Sequence, residues 1–204
     1  MVLENLFPTP VAFFKLDRDL TKAEMDFIRE QPTRPNTGNT TSTDNFILRS
    51  RKMTKLRDFI ETSISEYFTK TVCPKHQVSL RITQSWCNYT REGEFHHKHA
   101  HPNSFISGVF YPFANKETDR IYFYKDGFQQ IKLPPSEWNL YNSESWWFPV
   151  GTGDLILFPS SLTHMVEGVK GDHTRVSLSF NTFPVGLVGE EMDLTGLRLE
   201  DQQR

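Results

Sequence analysis

Of seven histidines in the chain, four fall within six residues: His96, His97, His99 and His101, in the run Phe95-His96-His97-Lys98-His99-Ala100-His101-Pro102. Neutral imidazoles converging on one point at about 2.0–2.2 Å bind a divalent first-row metal. In an extended strand side chains alternate between faces, so His97, His99 and His101 are expected to share one face, with His96 and Lys98 on the other. An HxH pair on that strand supplies two ligands, either His97 with His99 or His99 with His101. The third ligand has to come from elsewhere in the chain. His164 is the best candidate, because the apolar segment Asp154 to Phe158 leads through Pro159 into Ser160-Ser161-Leu162-Thr163-His164. His76 and His173 lie in polar surroundings near turns and are poorer choices. A single histidine is ordinarily a solvated or hydrogen-bonded residue; a cluster beside a strand reverses that expectation.

The elements that must position these residues are legible from periodicity. Thr21-Lys22-Ala23-Glu24 has the capping-box pattern and is followed by Met25, Phe27 and Ile28, which predicts a short helix ending before Pro32. Residues 33–50, rich in Thr, Asn, Gly and Pro without a period, read as a long loop, either a plain connection or a lid. From Arg51 to Thr71, apolar residues at Met53, Leu56, Phe59, Ile60, Ile64, Tyr67 and Phe68 close one face at 3.6 residues per turn, a long helix. After Val78 the period becomes two, and strand-like segments follow at 105–113, 119–124, 128–133, 145–150, 154–158 and 174–183. Turn signals between them include Asp126-Gly127, Pro134-Pro135 and Gly151-Thr152-Gly153-Asp154. Short strands behind two helices imply a jelly roll or small barrel with helices packed on one sheet. Trp138, Tyr141, Trp146, Trp147 and Phe148 are expected mainly in the core, with one or two facing a pocket.

The 204 residues suit a single domain, and 17 Phe, 6 Tyr and 4 Trp supply a substantial core. A formal charge of -2 gives no general attraction for nucleic acid, which is therefore not an expected partner. The apolar N-terminal stretch carries Glu4, Pro8 and Pro10 and no basic region, unlike a secretory signal, and no apolar run reaches the roughly 18 residues of a membrane span. Two cysteines, Cys73 and Cys87, without metal-type spacing fit a reducing cytoplasm.

Trp86-Cys87-Asn88, Gly93, His99-Ala100-His101-Pro102-Asn103-Ser104, Ser107-Gly108-Val109-Phe110-Tyr111, Gly153 to Ser160, His164 and Arg175 to Asn181, in that order and spacing, resemble the Fe(II)/2-oxoglutarate-dependent oxygenases, in a bacterial and phage branch near the prolyl-hydroxylase-like group. The resemblance covers about residues 78–183, with a weaker match at Leu6-Phe7-Pro8-Thr9-Pro10. It implies a mainly β fold with N-terminal helices, a double-stranded β-helix or cupin-like jelly roll. In one domain over 1–204, residues 1–77 would pack a strand and helices on the sheet, 78–183 form the β-helix, and 184–204 a C-terminal extension.

By that resemblance His99 and His164 match the two metal-binding histidines. His101 stands where the family carries a carboxylate, so the implied Fe(II) site is His99, His101 and His164. The Pro-Asn-Ser run after His101 favours this register over His97 with His99. Arg175, eleven residues after His164, and Ser177 match the family's RxS motif for the distal carboxylate of the cosubstrate 2-oxoglutarate, a guanidinium fork assisted by a hydroxyl. Tyr111 matches a phenol placed against the same carboxylate, and Asn88 or Tyr89 is expected to line the pocket. Each has a plainer role open to it: Arg175 pairing with an acid such as Asp172, Tyr111 packing, Ser177 exposed. The implied activity is a non-haem iron dioxygenase that couples oxidative decarboxylation of 2-oxoglutarate to hydroxylation of a small-molecule or peptide substrate, peptidyl proline being the one the branch suggests. Two alternatives follow from the missing carboxylate and the histidine cluster: a cupin-like three-His metalloenzyme that does not use 2-oxoglutarate, and a jelly-roll binding module with structural zinc. Neither substrate nor oligomeric state is readable.

Overall fold

The structure is a computed structural model and describes residues 1–127, 131 and 133–200. Its N-terminal part contains β1 (Ala12–Lys15), α1 (Lys22–Arg29), β2 (Thr33–Asn36), β3 (Asn39–Ser42) and α2 (Thr54–Val72). Eight strands follow: β4 (Val78–Thr90), β5 (His96–His99), β6 (Ile106–Phe113), β7 (Arg120–Tyr124), β8 (Ser145–Pro149), β9 (Asp154–Pro159), β10 (His164–Val166) and β11 (Arg175–Val188). A last short strand, β12 (Leu197–Leu199), pairs with the end of β11.

Together with β1 to β3 and β12, these eight strands form two antiparallel sheets. The larger runs β1-β9-β6-β11-β4-β3-β2, with β12 on β11, and the smaller β5-β10-β7-β8. Strands β4 to β11 alternate between the sheets except at β7 and β8, which are neighbours in the small one, the pattern of a double-stranded β-helix, as expected. The histidine pair lies at the second of these strands and His164 on the seventh.

Strict alternation builds two cores. On the large sheet Cys87, Phe110, Leu155, Leu157, Val176, Leu178 and Phe180 face the helices and pack on Ile28, Leu56, Ile60, Ile64 and Phe68. The opposite face places Val109, Tyr111, Ile156 and Phe158 against Ile121, Phe123 and Val166 of the small sheet. A strand buried on both faces reads as a continuous apolar run, which is why Leu155-Ile156-Leu157-Phe158 shows no alternation. The capping box of α1 is present, Thr21 and Glu24 bonding each other's backbone amides.

Two expectations are corrected. Residues 33–50 are not a loop but the β2–β3 hairpin followed by two 3-10 turns around Ile47 and Arg51, with Gly38 at φ +86 turning the chain. Its strand character rests on backbone pairing with β4 at Thr40 and Thr41 rather than on apolar alternation, so periodicity could not reveal it. The aromatic segment is not mainly core either. Trp138 and Tyr141 are exposed outside any strand, Trp146 and Trp147 are exposed on β8, the edge of its sheet, and Phe148 packs against the inner core. Of the strand read at 128–133, residues 128–130 and 132 lie outside the described residues, and Ile131 and Leu133 are exposed and not in a strand. Among the described residues no helix is long and apolar enough to cross a membrane.

Gly108 on β6 marks the tightest approach between the large sheet and its core: an added Cβ would run into Phe180 and stand 2.7 Å from Leu157. Both neighbours are fully buried, so neither can swing aside. Gly108→Ala is expected to lower unfolding free energy by about 1–3 kcal/mol, read from urea denaturation.

Candidate metal centre

Strand pairing brings distant imidazoles together. His164 on β10 stands directly opposite His99 on β5, with Phe123 of β7 on its other side and Trp146 of β8 opposite Phe123, so the four share the inner face of the small sheet. His101 follows the end of β5, its backbone N–H donating to Ser160 O at 2.9 Å. The ring centroids are 4.5 Å apart for His99 and His164, 4.8 Å for His99 and His101, and 5.1 Å for His101 and His164. One nitrogen from each of the three lies within 4.8 Å of the others. Phe158 packs edge-on against His164, which is only 5% exposed.

Second partners fix the tautomers. His99 Nδ1 lies 2.8 Å from His97 O, and His164 Nδ1 lies 3.0 Å from Leu162 O. A carbonyl only accepts, so each Nδ1 must carry the proton and each Nε2 presents a lone pair. Burial, reinforced by the neighbouring imidazoles, holds the His101 pKa down at about 4 and that of His164 at about 3. Burial lowers His99 as well. These rings are therefore neutral at pH 7, the form a metal requires.

One orientation differs from the expected alternation. Between β10 and β5 the register shifts, His164 facing His99 but Val166 facing His96, so three residues of β10 span four of β5. Such a bulge re-aims a side chain. His96 consequently joins His99, His101 and His164 in lining the cavity between the sheets, instead of pointing with Lys98 to the outside. His96, His97 and His99 form a second group whose nitrogens lie within 4.8 Å of one another. That group is handicapped by its hydrogen bonds: Asn39 Nδ2 donates to His96 Nδ1 at 3.1 Å, so the neutral His96 ring carries its proton on Nε2.

The cavity is completed by Trp86 and Asn88 from β4, Val109 and Tyr111 from β6, and Ser177 and Ser179 from β11. No aspartate or glutamate lines it among the described residues. Two buried polar atoms in its wall, the Tyr111 hydroxyl and Asn88 Oδ1, have no hydrogen-bond partner. Folded proteins rarely leave such groups unpaired, and these two mark where a polar ligand belongs. Burial pushes the Tyr111 phenol well above its ordinary range, the charge of Arg175 pulling the other way, so it remains a neutral donor. Tyr89, by contrast, packs toward the helices, its hydroxyl donating to Ile28 O.

Arg175 points to the same side of β11 as Ser177 and Ser179 but lies deeper, 2% exposed. Nη1 meets Asp119 Oδ1 at 3.1 Å and Nη2 meets Glu167 O at 3.0 Å. Its acidic partner is thus the fully buried Asp119, not Asp172. Asp119 Oδ2 also accepts from Asn115 N and meets His173 Nε2 at 2.9 Å. Sequence reading passed over Asp119 because a polar residue in an Asn-Lys-Glu-Thr-Asp turn carries no sign of burial.

Residues 84–181 match a family described as "Putative 2OG-Fe(II) oxygenase". No curated protein matches the chain. Among solved structures, an oxidoreductase of the 2OG-Fe(II) oxygenase family from Burkholderia pseudomallei superposes with a TM-score of 0.56 at 14% identity, over 78% of this chain and 76% of its own. SnoN, a non-heme alpha-ketoglutarate-dependent epimerase from nogalamycin biosynthesis, gives 0.59 at 11% identity over 86% and 78%. SnoK, a carbocyclase of the same biosynthesis, gives 0.58 at 12% identity over 85% and 79%. At such identities the likeness establishes the shared fold.

Because Arg175 is buried with its counter-charge, removing one partner strands the other. Asp119→Ala is expected to destabilise the protein by about 3–5 kcal/mol, measured by urea unfolding. The double variant Asp119→Ala/Arg175→Met should lose less than the sum of the two single losses.

Proposed function

We propose that this chain, a member of the Fe(II)/2-oxoglutarate-dependent oxygenase superfamily, is a hydroxylase whose iron is held by His99, His101 and His164 and whose 2-oxoglutarate is held by Arg175, Ser177, Tyr111 and Asn88. The observation that carries this reading is the pairing of His99 and His164 with both Nδ1 atoms tied to carbonyls, which leaves two Nε2 lone pairs free in a group whose ligand nitrogens, with that of His101, lie within 4.8 Å of one another. Three imidazoles leave coordination positions open, as an iron oxygenase site needs and a closed structural zinc site does not. When bound, iron and 2-oxoglutarate supply the oxidising chemistry: O2 is consumed, the keto acid leaves as succinate and CO2, and one oxygen atom is inserted into a substrate C–H bond.

The chain's own residues bind, orient and exclude water. Arg175 lies next to the lining residue Ser177 rather than in the lining itself, and its Nη1 and Nη2 are held by Asp119 and Glu167 O, so the distal carboxylate would take their second protons at little cost in rotamer freedom. The Tyr111 hydroxyl, buried and lacking a partner, supplies a further donor, and Ser177 a hydroxyl beside it. Phe123, Phe158, Val109 and Ile121 keep the imidazoles dry. The substrate, a small molecule or a peptide, approaches from the end of the small sheet where Trp146 stands in the row of His99 and His164, half-exposed and free to stack on it. Peptidyl proline fits such an aromatic wall. Residues 1–77 serve as a brace for the β-helix, making the chain one functional unit.

Purified protein supplied with Fe(II), ascorbate and 2-oxoglutarate is expected to release succinate, and His164→Ala to lose both metal binding by calorimetry and turnover. Arg175→Lys retains the charge but loses the fork, so the KM for 2-oxoglutarate should rise about 10- to 100-fold with metal affinity unchanged. Metal binding without any 2-oxoglutarate binding would favour the cupin-like three-His enzyme instead.

A further inference from the structure

Four imidazoles line the cavity, and the metal reading uses three. The fourth, His96, is set apart by the direction of its hydrogen bond. Asn39 Nδ2 donates to His96 Nδ1 at 3.1 Å and to Thr90 Oγ1 at 3.2 Å, while Asn39 Oδ1 accepts from Asn36 Nδ2 at 3.0 Å. With the amide in this orientation its NH2 faces the imidazole. An amide NH2 cannot accept, so His96 Nδ1 is the lone-pair atom and the proton of the neutral ring resides on Nε2. His96 is thus built in the opposite sense to His99 and His164: it offers the cavity a donor where they offer lone pairs. The bulge that turned it inward and the hairpin that holds it are separate pieces of the fold, and both act on this one ring.

Its position identifies what it would bind. His96 stands opposite Val166, two residues beyond His164 on β10, and the next residue, Glu167, supplies the carbonyl that holds Arg175. Thr90, bonded to the same Asn39 amide, stands opposite Arg175 on β11. His96 therefore lies on the Arg175 side of the metal-binding imidazoles, along the stretch that a dicarboxylate spanning metal and guanidinium would occupy. Trp146, on the substrate side, belongs to the other row of the small sheet. No aspartate or glutamate lines the cavity among the described residues, so a carboxylate acceptor for His96 would come with the ligand.

We propose that His96 Nε2–H donates a hydrogen bond to an oxygen at the metal-proximal end of the keto acid, and that Asn39 of the β2–β3 hairpin is the positioning residue that sets the donor tautomer. This inference rests on the metal and cosubstrate placement given under Proposed function. It assigns to the hairpin the task of orienting one imidazole.

The test uses the whole protein loaded with Zn(II), with imidazole 15N chemical shifts and calorimetric affinity for 2-oxoglutarate as readouts. The expected result is a protonated Nε2 and an unprotonated Nδ1 on His96, with zinc shifting Nε2 of His99 and His164 and not that of His96. His96→Phe keeps the ring and removes the donor, and should weaken 2-oxoglutarate binding about ten-fold, the ratio for a hydrogen bond to a charged acceptor, while zinc affinity stays within about two-fold. His96→Gln restores an N–H donor and should recover most of the loss. Asn39→Asp replaces the donating amide with a carboxylate, moves the proton to Nδ1, and should match the Phe variant in affinity with an inverted 15N pattern. Unchanged 2-oxoglutarate affinity in folded His96→Phe, or a wild-type His96 protonated on Nδ1, overturns the proposal while leaving the metal triad intact. Zinc that shifts His96 and not His164 overturns the triad reading and this one together.

Discussion

The antiparallel pairing of β10 with β5 is the constraint on which the site depends. His164 has no sequence neighbour capable of metal chemistry; it acquires two only because its strand lies against the histidine strand in a register that sets it opposite His99. That register is held from the other side by β7, where Phe123 pairs with His164 and Ile121 with Val166. A slip of one residue would turn His164 to the outer face and Met165 inward. Val166 opposes this, since it is buried on β10 and would have to leave the inner core, where Phe123 and Phe158 also lie. The apolar packing of the small sheet is thus what specifies the geometry of three polar groups.

A jelly roll ordinarily fills its interior with apolar side chains, and most of this one does. The exception is a band of Asn88, Ser177 and Ser179 that lines the cavity from β4 and β11, with the buried Arg175 next along β11. On the other face of β11, Val176, Leu178 and Phe180 pack on the helices without interruption, so the polar band does not come from a weak strand pattern. Isolated inward polar groups cost about 1–3 kcal/mol each when unpaired. Arg175 avoids that cost through Asp119 and Glu167 O, and Asn88 Nδ2 does so in part through Ser179 at 3.2 Å. Tyr111 OH and Asn88 Oδ1 do not, and unpaired buried groups of this kind are where a fold stores the capacity to bind.

Much of the architecture is legible in the sequence because α2 buries apolar residues at a period of 3.6, β7 at a period of two, and β9, buried on both faces, reads as a short apolar run. The histidine cluster and its distal partner were readable for the same reason: residue type and strand placement together. What escaped was set by features without a one-dimensional signature. The bulge that brings His96 inward is a register event between two strands. The β2–β3 hairpin is written in Thr, Arg, Pro and Asn, and is held by backbone pairing and by Thr41 Oγ1 donating to Cys87 O rather than by an apolar stripe. Asp119 is buried by the residues around it, not by its own character. The exposure of Trp146 and Trp147 goes with β8 being an edge, which no single segment announces.

Charge bears on how the proposed three-imidazole centre would work with an anionic cosubstrate. The imidazoles of His99, His101 and His164 are neutral, and no aspartate or glutamate lines the cavity among the described residues. The Arg175 guanidinium is itself balanced by Asp119, so the protein around the cavity is close to neutral. A divalent ion held there carries its full charge into a low-dielectric interior, where such a charge is costly unless matched. A dianion matches it. On the proposed reading, tight retention of a metal at an all-imidazole site would depend on the keto acid, and a neutral donor such as His96 would steady the ligand's oxygens without adding charge.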